Sequence, residues 1–178
     1  MSFLKGLFGG NRGAGSEKAS TSERPVSTEK QSRGKGLPPE ERAMLEEYLT
    51  AAEPLLGRLD SEYRQWLEKA GVTAGTDVTA INDPKGQHSG VFVWRTIETE
   101  RNFTQLHAPP RARRLHDAYC QSVEGRHQAA SMIYDALQVA DIRPPHAHLQ
   151  AASQDLAQAE KLWKQGEQQR QDLDKLLH

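Results

Sequence analysis

The chain has 178 residues, of which 36% are hydrophobic and 26% are charged, and its net charge is -1 at neutral pH. This size and polarity suit one slender domain with a tail better than a thick layered fold, and no apolar run approaches the roughly 18 residues of a membrane-spanning helix. The single cysteine, Cys120, excludes an intramolecular disulfide and fits a reducing cytoplasm.

Near the start of the chain, four large apolar residues are spaced as on one side of a two-turn helix. They are Phe3, Leu4, Leu7 and Phe8. Glycines at positions 9 and 10 are suited to end such a turn. We therefore predict that residues 1–10 form a short amphipathic segment that docks on a membrane surface or on a protein partner. The protein would then be cytoplasmic, or peripheral on the inner face of the membrane.

Residues 11–37 are rich in Gly, Ser, Thr, Lys, Arg and Glu, which predicts a disordered linker. Residues 1–36 carry seven basic and three acidic side chains, whereas the remainder carries 16 basic and 21 acidic ones. A basic tail favours an anionic lipid surface, and an acidic body argues against nucleic acid as a partner. The predicted organisation is an anchor at 1–10, a linker at 11–37 and a helical bundle at 38–178.

The first helix of the body is predicted to start at Pro38 and to end at Gly71. Its apolar residues recur at steps of three and four, as expected for one buried face. They are Leu45, Tyr48, Ala52, Leu55, Leu59, Tyr63, Trp66 and Ala70. Because Pro54 lacks a backbone donor, a kink or a local break is expected near Ala51.

Residues 72–107 give the weakest pattern. Residues 72–90 are typical of a loop, and the run from Val91 to Ile97 has strand-forming residues but no evident partner strand. We therefore predict a short helix near 92–107 that completes a four-helix arrangement. Its residues expected to pack on the bundle are Trp94, Ile97, Phe103 and Leu106.

Two more long helices follow, opened by prolines at 109–110 and at 144–145. The predicted buried face of the third helix consists of Leu115, Tyr119, Ser122, Arg126, Ala130, Ile133 and Leu137. That of the last helix is a heptad seam of Leu149, Ala152, Leu156, Ala159, Trp163, Gly166, Arg170, Leu173 and Leu177. The short connection near 140–143 makes this pair an antiparallel hairpin. The predicted fold is all-α: an antiparallel three- to four-helix bundle with a disordered N-terminal tail.

The candidate metal ligands lie on one flank of the third helix. His116, Cys120, Glu124 and His127 are separated by four, four and three residues. Imidazole, thiolate and carboxylate groups bind Zn²⁺, but a bundle site needs matching ligands from a facing helix, and the last helix offers mostly Gln, Ala, Leu and Lys there. We therefore favour the interpretation that these four side chains are exposed or rim residues beside the buried stripe. We predict neither a metal nor a cofactor. A metal site at His116, Cys120 and His127 remains the alternative.

No nucleophile elbow, phosphate-binding glycine loop or His-Glu-x-x-His motif occurs in the sequence. We therefore predict that the protein is not an enzyme but an interaction or scaffold protein, tethered by its N-terminal segment. Two alternatives stay open: a bundle that binds a metal or small ligand, and a coiled-coil protein whose last helix pairs with another copy. Residues 1–10 and 106–119 resemble segments of bacterial helical proteins, which implies a bacterial source and a helical fold only.

Overall fold

The structure, a computed structural model, describes residues 37–72, 81–140 and 146–178. In these ranges the chain forms no strand but four α-helices and one 3-10 turn. They are α1 (Pro39–Ala70), the turn Pro84–Gly86, α2 (Gln87–Thr104), α3 (Arg113–Gln138) and α4 (His146–Leu177). The predicted all-α fold is confirmed, and the ambiguous stretch after Val91 is helical. The predicted anchor at 1–10 lies outside the described residues. The same holds for residues 11–36 of the predicted linker and for residues 141–143 of the predicted connection.

Successive helices run antiparallel and form a four-helix bundle. The end of α1 contacts the start of α2, where the rings of Trp66 and Phe92 stack with centroids 4.9 Å apart. The end of α2 contacts the start of α3 through Phe103 and Tyr119, whose centroids are 6.3 Å apart. Tyr119 in turn contacts Trp163 in the second half of α4 at 4.8 Å. These contacts fit only an alternating up-and-down order.

Helix α1 begins after Pro38 and ends at Gly71, which adopts the left-handed conformation with φ 68°. The predicted break near Ala51 is wrong, because α1 continues through Pro54 as one helix. Pro54 is exposed, so its ring points away from the bundle, while the buried side chains of Ala52 and Leu56 hold the helix against its neighbours on the other side. Packing therefore overrides the missing hydrogen bond.

The core consists of two hydrophobic clusters, one toward each end of the bundle. The first includes Tyr63, Trp66, Phe92, Ile133, Leu149 and Leu156. The second includes Leu45, Leu59, Phe103, Leu115, Tyr119 and Trp163. The residues of the predicted α3 and α4 stripes are buried, except for Leu137 and Arg170, which are partly buried, so the inward orientation of both stripes is confirmed.

Candidate functional site

The four residues predicted to dock on a membrane or a partner, Phe3, Leu4, Leu7 and Phe8, lie outside the described residues. No helix in the part of the chain that the structure describes combines the length and apolarity that a membrane span requires. Within the described residues, the candidate sites are the predicted metal ligands and the exposed faces of the helices.

His116 and Cys120, two of the metal candidates, contact each other on α3. Nε2 of His116 lies 3.4 Å from Sγ of Cys120, and its Nδ1 lies 3.1 Å from the hydroxyl of Tyr48 on α1. The imidazole also packs on the ring of Phe103, with centroids 5.0 Å apart. Burial lowers the pKa of His116, so the neutral imidazole is favoured.

The thiol of Cys120 has surroundings that oppose ionisation. Burial raises the pKa of Cys120 to about 11, and the negative charges of Asp117, Glu100 and Glu124 act in the same direction. The thiol is therefore protonated at neutral pH, whereas a nucleophilic cysteine reacts as the thiolate.

His127, the third metal candidate, pairs with a different helix. Its Nδ1 lies 2.6 Å from Oε2 of Glu100 on α2, and both side chains are 20% exposed. Among the described residues, no group of three or more His, Cys, Asp or Glu side chains is placed to hold a metal ion. The candidates thus divide into the contact between His116 and Cys120 and the pair formed by His127 and Glu100.

The packing predicted for Trp94 and Ile97 is wrong. Their side chains are 77% and 49% exposed, whereas the prediction places them on the bundle. The packing predicted for Phe103 and Leu106 is confirmed, because Phe103 is 0% exposed and Leu106 is partly buried against the same core cluster. The buried face of α2 consists of Ser89, Phe92, Thr96, Thr99 and Phe103. The Thr96 hydroxyl donates to the carbonyl oxygen of Phe92 at 2.9 Å, so this polar group is satisfied inside the core. Helix α2 therefore buries small polar side chains together with two phenylalanines, while its largest side chain points outward.

Trp94 lies beside an open groove between α2 and α3, which we call the α2/α3 groove. It encloses about 870 Å³, and its lining includes Val91, Val93, Trp94, Ser131, Tyr134 and Asp135. A second depression of about 450 Å³ adjoins it at Ser131 and lies between Glu100 on α2 and Glu124, His127 and Met132 on α3. The two depressions together follow the interface of α2 and α3 for several turns.

A buried polar network fixes the start of α2 and with it the orientation of Trp94. The carboxylate of Asp83 accepts hydrogen bonds from the backbone N–H of His88 at 2.8 Å and from the N–H and hydroxyl of Ser89 at 2.9 and 2.7 Å. The indole N–H of Trp66 on α1 donates to the Ser89 hydroxyl at 3.0 Å. Because these bonds satisfy free donors of the first turn, they set the rotation of α2 about its axis.

Two glycines bring α2 close to Tyr134 and shape one end of the groove. A Cβ atom at Gly86, where φ is +67°, would lie 2.7 Å from Cα of Tyr134, and one at Gly90 would lie 2.9 Å from its ring. The side-chain amide of Gln138 donates to the carbonyl oxygen of Lys85 at 2.8 Å. This end of the groove is therefore formed by tightly packed backbone and is preorganised.

Arg126 on α3 is buried between the two core clusters, with only 3% of its surface exposed. Its guanidinium carbon lies 3.8 Å from the ring centroid of Tyr63 and 4.0 Å from that of Trp163. Nη2 donates to Oε1 of Glu160 at 3.1 Å, and Nη1 lies 3.6 Å from Oδ1 of Asp60. Burial lowers the pKa of Arg126, and its neighbours Tyr63, Glu160 and Asp60 oppose this effect. The cluster links side chains of α1, α3 and α4.

Comparison with protein-family models, with curated proteins and with solved structures finds no match to this chain. The geometry of the bundle is therefore what bears on function. Its α2/α3 groove combines an exposed indole, apolar walls and a carboxylate-bearing rim, which suits it to hold the apolar face of another molecule.

Proposed function

We propose that this protein is a non-enzymatic interaction or scaffold protein that binds a protein partner in the α2/α3 groove. The observation that carries the proposal is the indole of Trp94, which is 77% exposed beside an open groove with apolar walls. Aromatic residues are enriched at the centres of protein interfaces, and contiguous exposed apolar surface is typical of interaction sites.

Neighbouring side chains support this proposal because they extend the apolar surface around Trp94. Val91 and Ile97 precede and follow it at steps of three on α2, and Tyr134 lies across the groove on α3, all of them exposed. The tight packing of Gly86 and Tyr134 keeps one end of the surface in shape without a partner. A partner then loses little free energy to ordering the groove.

If the proposal is right, a photoreactive benzoylphenylalanine at position 94 forms a discrete cross-link with one cellular protein. In the matched control, benzoylphenylalanine replaces Gln158, which is exposed on α4 away from the groove. We expect no adduct, or only diffuse ones, from position 158. An adduct of twice the mass of the chain would identify a second copy as the partner.

The cross-linked protein is then purified and its affinity measured by calorimetry. Trp94→Ala should weaken binding at least about tenfold, as expected for an aromatic residue at the centre of an interface. Gln158→Ala should leave the affinity unchanged. Equal affinities of wild type and Trp94→Ala would overturn the proposal.

The second part of the proposal concerns the N-terminal segment. The spacing of Phe3, Leu4, Leu7 and Phe8 supports a tether that places the bundle at a membrane surface or at a protein partner. The seven basic residues in positions 1–36 would add attraction to anionic lipid, on the order of 1 kcal/mol for each one near the surface. The protein would be cytoplasmic, or peripheral on the inner face of the membrane.

Co-sedimentation with phosphatidylserine vesicles tests the tether. We expect weak binding by wild type, because each buried apolar side chain contributes roughly 1.5 to 3 kcal/mol and folding of the short helix offsets much of it. Phe3→Glu with Phe8→Glu should abolish binding, raised salt should reduce it, and Trp94→Ala should leave it intact. The vesicle tether is wrong if wild type and the double variant sediment alike.

A further inference from the structure

We infer that the α2/α3 groove binds a basic amphipathic helix, an inference that rests on the interaction function proposed above. On α2, Val91, Trp94 and Ile97 present exposed apolar side chains at steps of three, and Tyr134 of α3 lines the groove together with Val91 and Trp94. Helices are bound in such grooves through an apolar stripe laid along the groove axis. The chemistry of the rim specifies the rest of the partner.

The rim on the α3 side is acidic at two places. Glu124 lines the smaller depression and Asp135 lines the larger one, and both side chains are exposed. Eleven residues separate them, which is about three helical turns, so the two carboxylates lie on the same side of α3 and roughly 16 Å apart along its axis. A helix that lies along the groove would place basic residues at i and i+11 opposite them.

The charges of these two carboxylates are available to a partner. The side-chain amide of Gln128, a neutral group, donates to Oε1 of Glu124 at 3.2 Å and so leaves its charge uncompensated. On the α2 side, Oε2 of Glu100 lies 2.6 Å from Nδ1 of His127, and this residue adds a further carboxylate to the lining of the smaller depression. The exposed carboxylates on α3 give the rim a negative potential, and a basic flank of the partner complements it.

The lining also contains Lys85, which fixes the direction of the bound helix. Lys85 lies in the 3-10 turn at the end of the groove, where its carbonyl oxygen accepts a hydrogen bond from Gln138. The C-terminal end of a helix carries partial negative charge. We therefore place the C-terminus of the bound helix near Lys85, so that this helix runs antiparallel to α2.

Two synthetic peptides of identical composition and free C-terminus test the inference by calorimetry with the full chain. Both are 16 residues long with a leucine stripe on an alanine and glutamine background. In the first, two lysines eleven residues apart flank the stripe on one side. In the second, the lysines are moved to the opposite face. Identical net charge removes non-specific attraction to the acidic bundle from the comparison.

We expect the flanking-lysine peptide to bind wild type about three- to tenfold more tightly than its isomer, as two exposed ion pairs allow. Trp94→Ala should weaken this binding at least about tenfold. Glu124→Lys combined with Asp135→Lys should reverse the preference in favour of a peptide with glutamates in the two lysine positions. Glu47→Lys with Glu68→Lys, the same charge change at exposed sites on α1, should not reverse it.

Equal affinity for the two isomers, or unchanged affinity in Trp94→Ala, would overturn the inference. If the isomers bind alike while position 94 still cross-links to one cellular protein, the helix chemistry is wrong and the interaction function stands. If the two isomers bind alike and position 94 gives no more cross-linking than position 158, both the helix inference and the interaction function are wrong. Because the four charge-changing positions and Trp94 are exposed, all variants should keep the circular dichroism spectrum of wild type.

Discussion

Arg126→Ala should lower the free energy of unfolding by about 3 to 5 kcal/mol, the range expected when one member of a buried charged cluster is removed. The substitution leaves the carboxylates of Asp60 and Glu160 without their buried partner. It also removes the guanidinium group that lies between the rings of Tyr63 and Trp163, within 4.0 Å of both centroids. Urea unfolding followed by circular dichroism measures the change.

Arg64 provides a matched control, because it also pairs with Asp60. Its Nε lies 2.7 Å from Oδ2 of that carboxylate, but its side chain is 75% exposed. Exposed ion pairs contribute little, so Arg64→Ala should cost less than about 1 kcal/mol. Arg126→Met tests the packing: it fills the space between the two rings and should cost less than Arg126→Ala. Equal effects of Arg126→Ala and Arg64→Ala would show that the buried cluster does not stabilise the bundle.

The sequence predicts the fold well where apolar residues repeat over many turns. In α4 the steps of three and four continue from Leu149 to Leu177. Because the repeat is long, the buried face can be predicted even though some of its residues are small or polar. The structure buries Ala152, Gly166 and Leu173 on that face as predicted. In α1 the prediction is wrong in one detail, because Leu56 is buried whereas the predicted Leu55 is only partly buried.

The orientation of α2 was harder to predict because hydrophobicity and helical phase disagree there. Trp94 and Ile97 are more apolar than Thr96 and Thr99, but Phe92, Thr96, Thr99 and Phe103 follow one another at steps of four, three and four and form the buried face. That spacing is the signal in the sequence that points to the correct face. Threonine is easily overlooked as a core residue, since its hydroxyl needs a partner that only the folded helix provides.

The α2/α3 groove depends on contacts between residues far apart in the chain. The sequence contains Gly86, Gly90 and Tyr134, but nothing in their spacing indicates that both glycines lie against one tyrosine ring. The role of Arg126 is hidden for the same reason: its position on the α3 stripe predicts burial, whereas its partners Asp60 and Glu160 come from two other helices. The periodicity of the sequence therefore predicts which face of each helix is buried. The groove and the Arg126 cluster depend in addition on which helix faces pack against each other.

Leu156→Ala should lower the free energy of unfolding by about 2 to 5 kcal/mol. Leu156 is 0% exposed on α4 and belongs to the same core cluster as Trp66, Ile133 and Leu149. Truncation removes its packing within this cluster and leaves a cavity that the surrounding side chains cannot readily fill. Urea unfolding measures the loss.

Leu176→Ala is the control on the same helix, since Leu176 is 53% exposed and its truncation should change stability by about 0.5 kcal/mol or less. A cost below about 0.5 kcal/mol for Leu156→Ala would mean that the α4 stripe faces solvent in the monomer. That outcome would support the self-associating coiled coil, in which this stripe packs against another copy, and the molecular mass in solution would then be that of an oligomer. A loss of several kcal/mol in Leu156→Ala alone places the stripe inside the bundle, so that the exposed face of α2 remains the surface open to a partner.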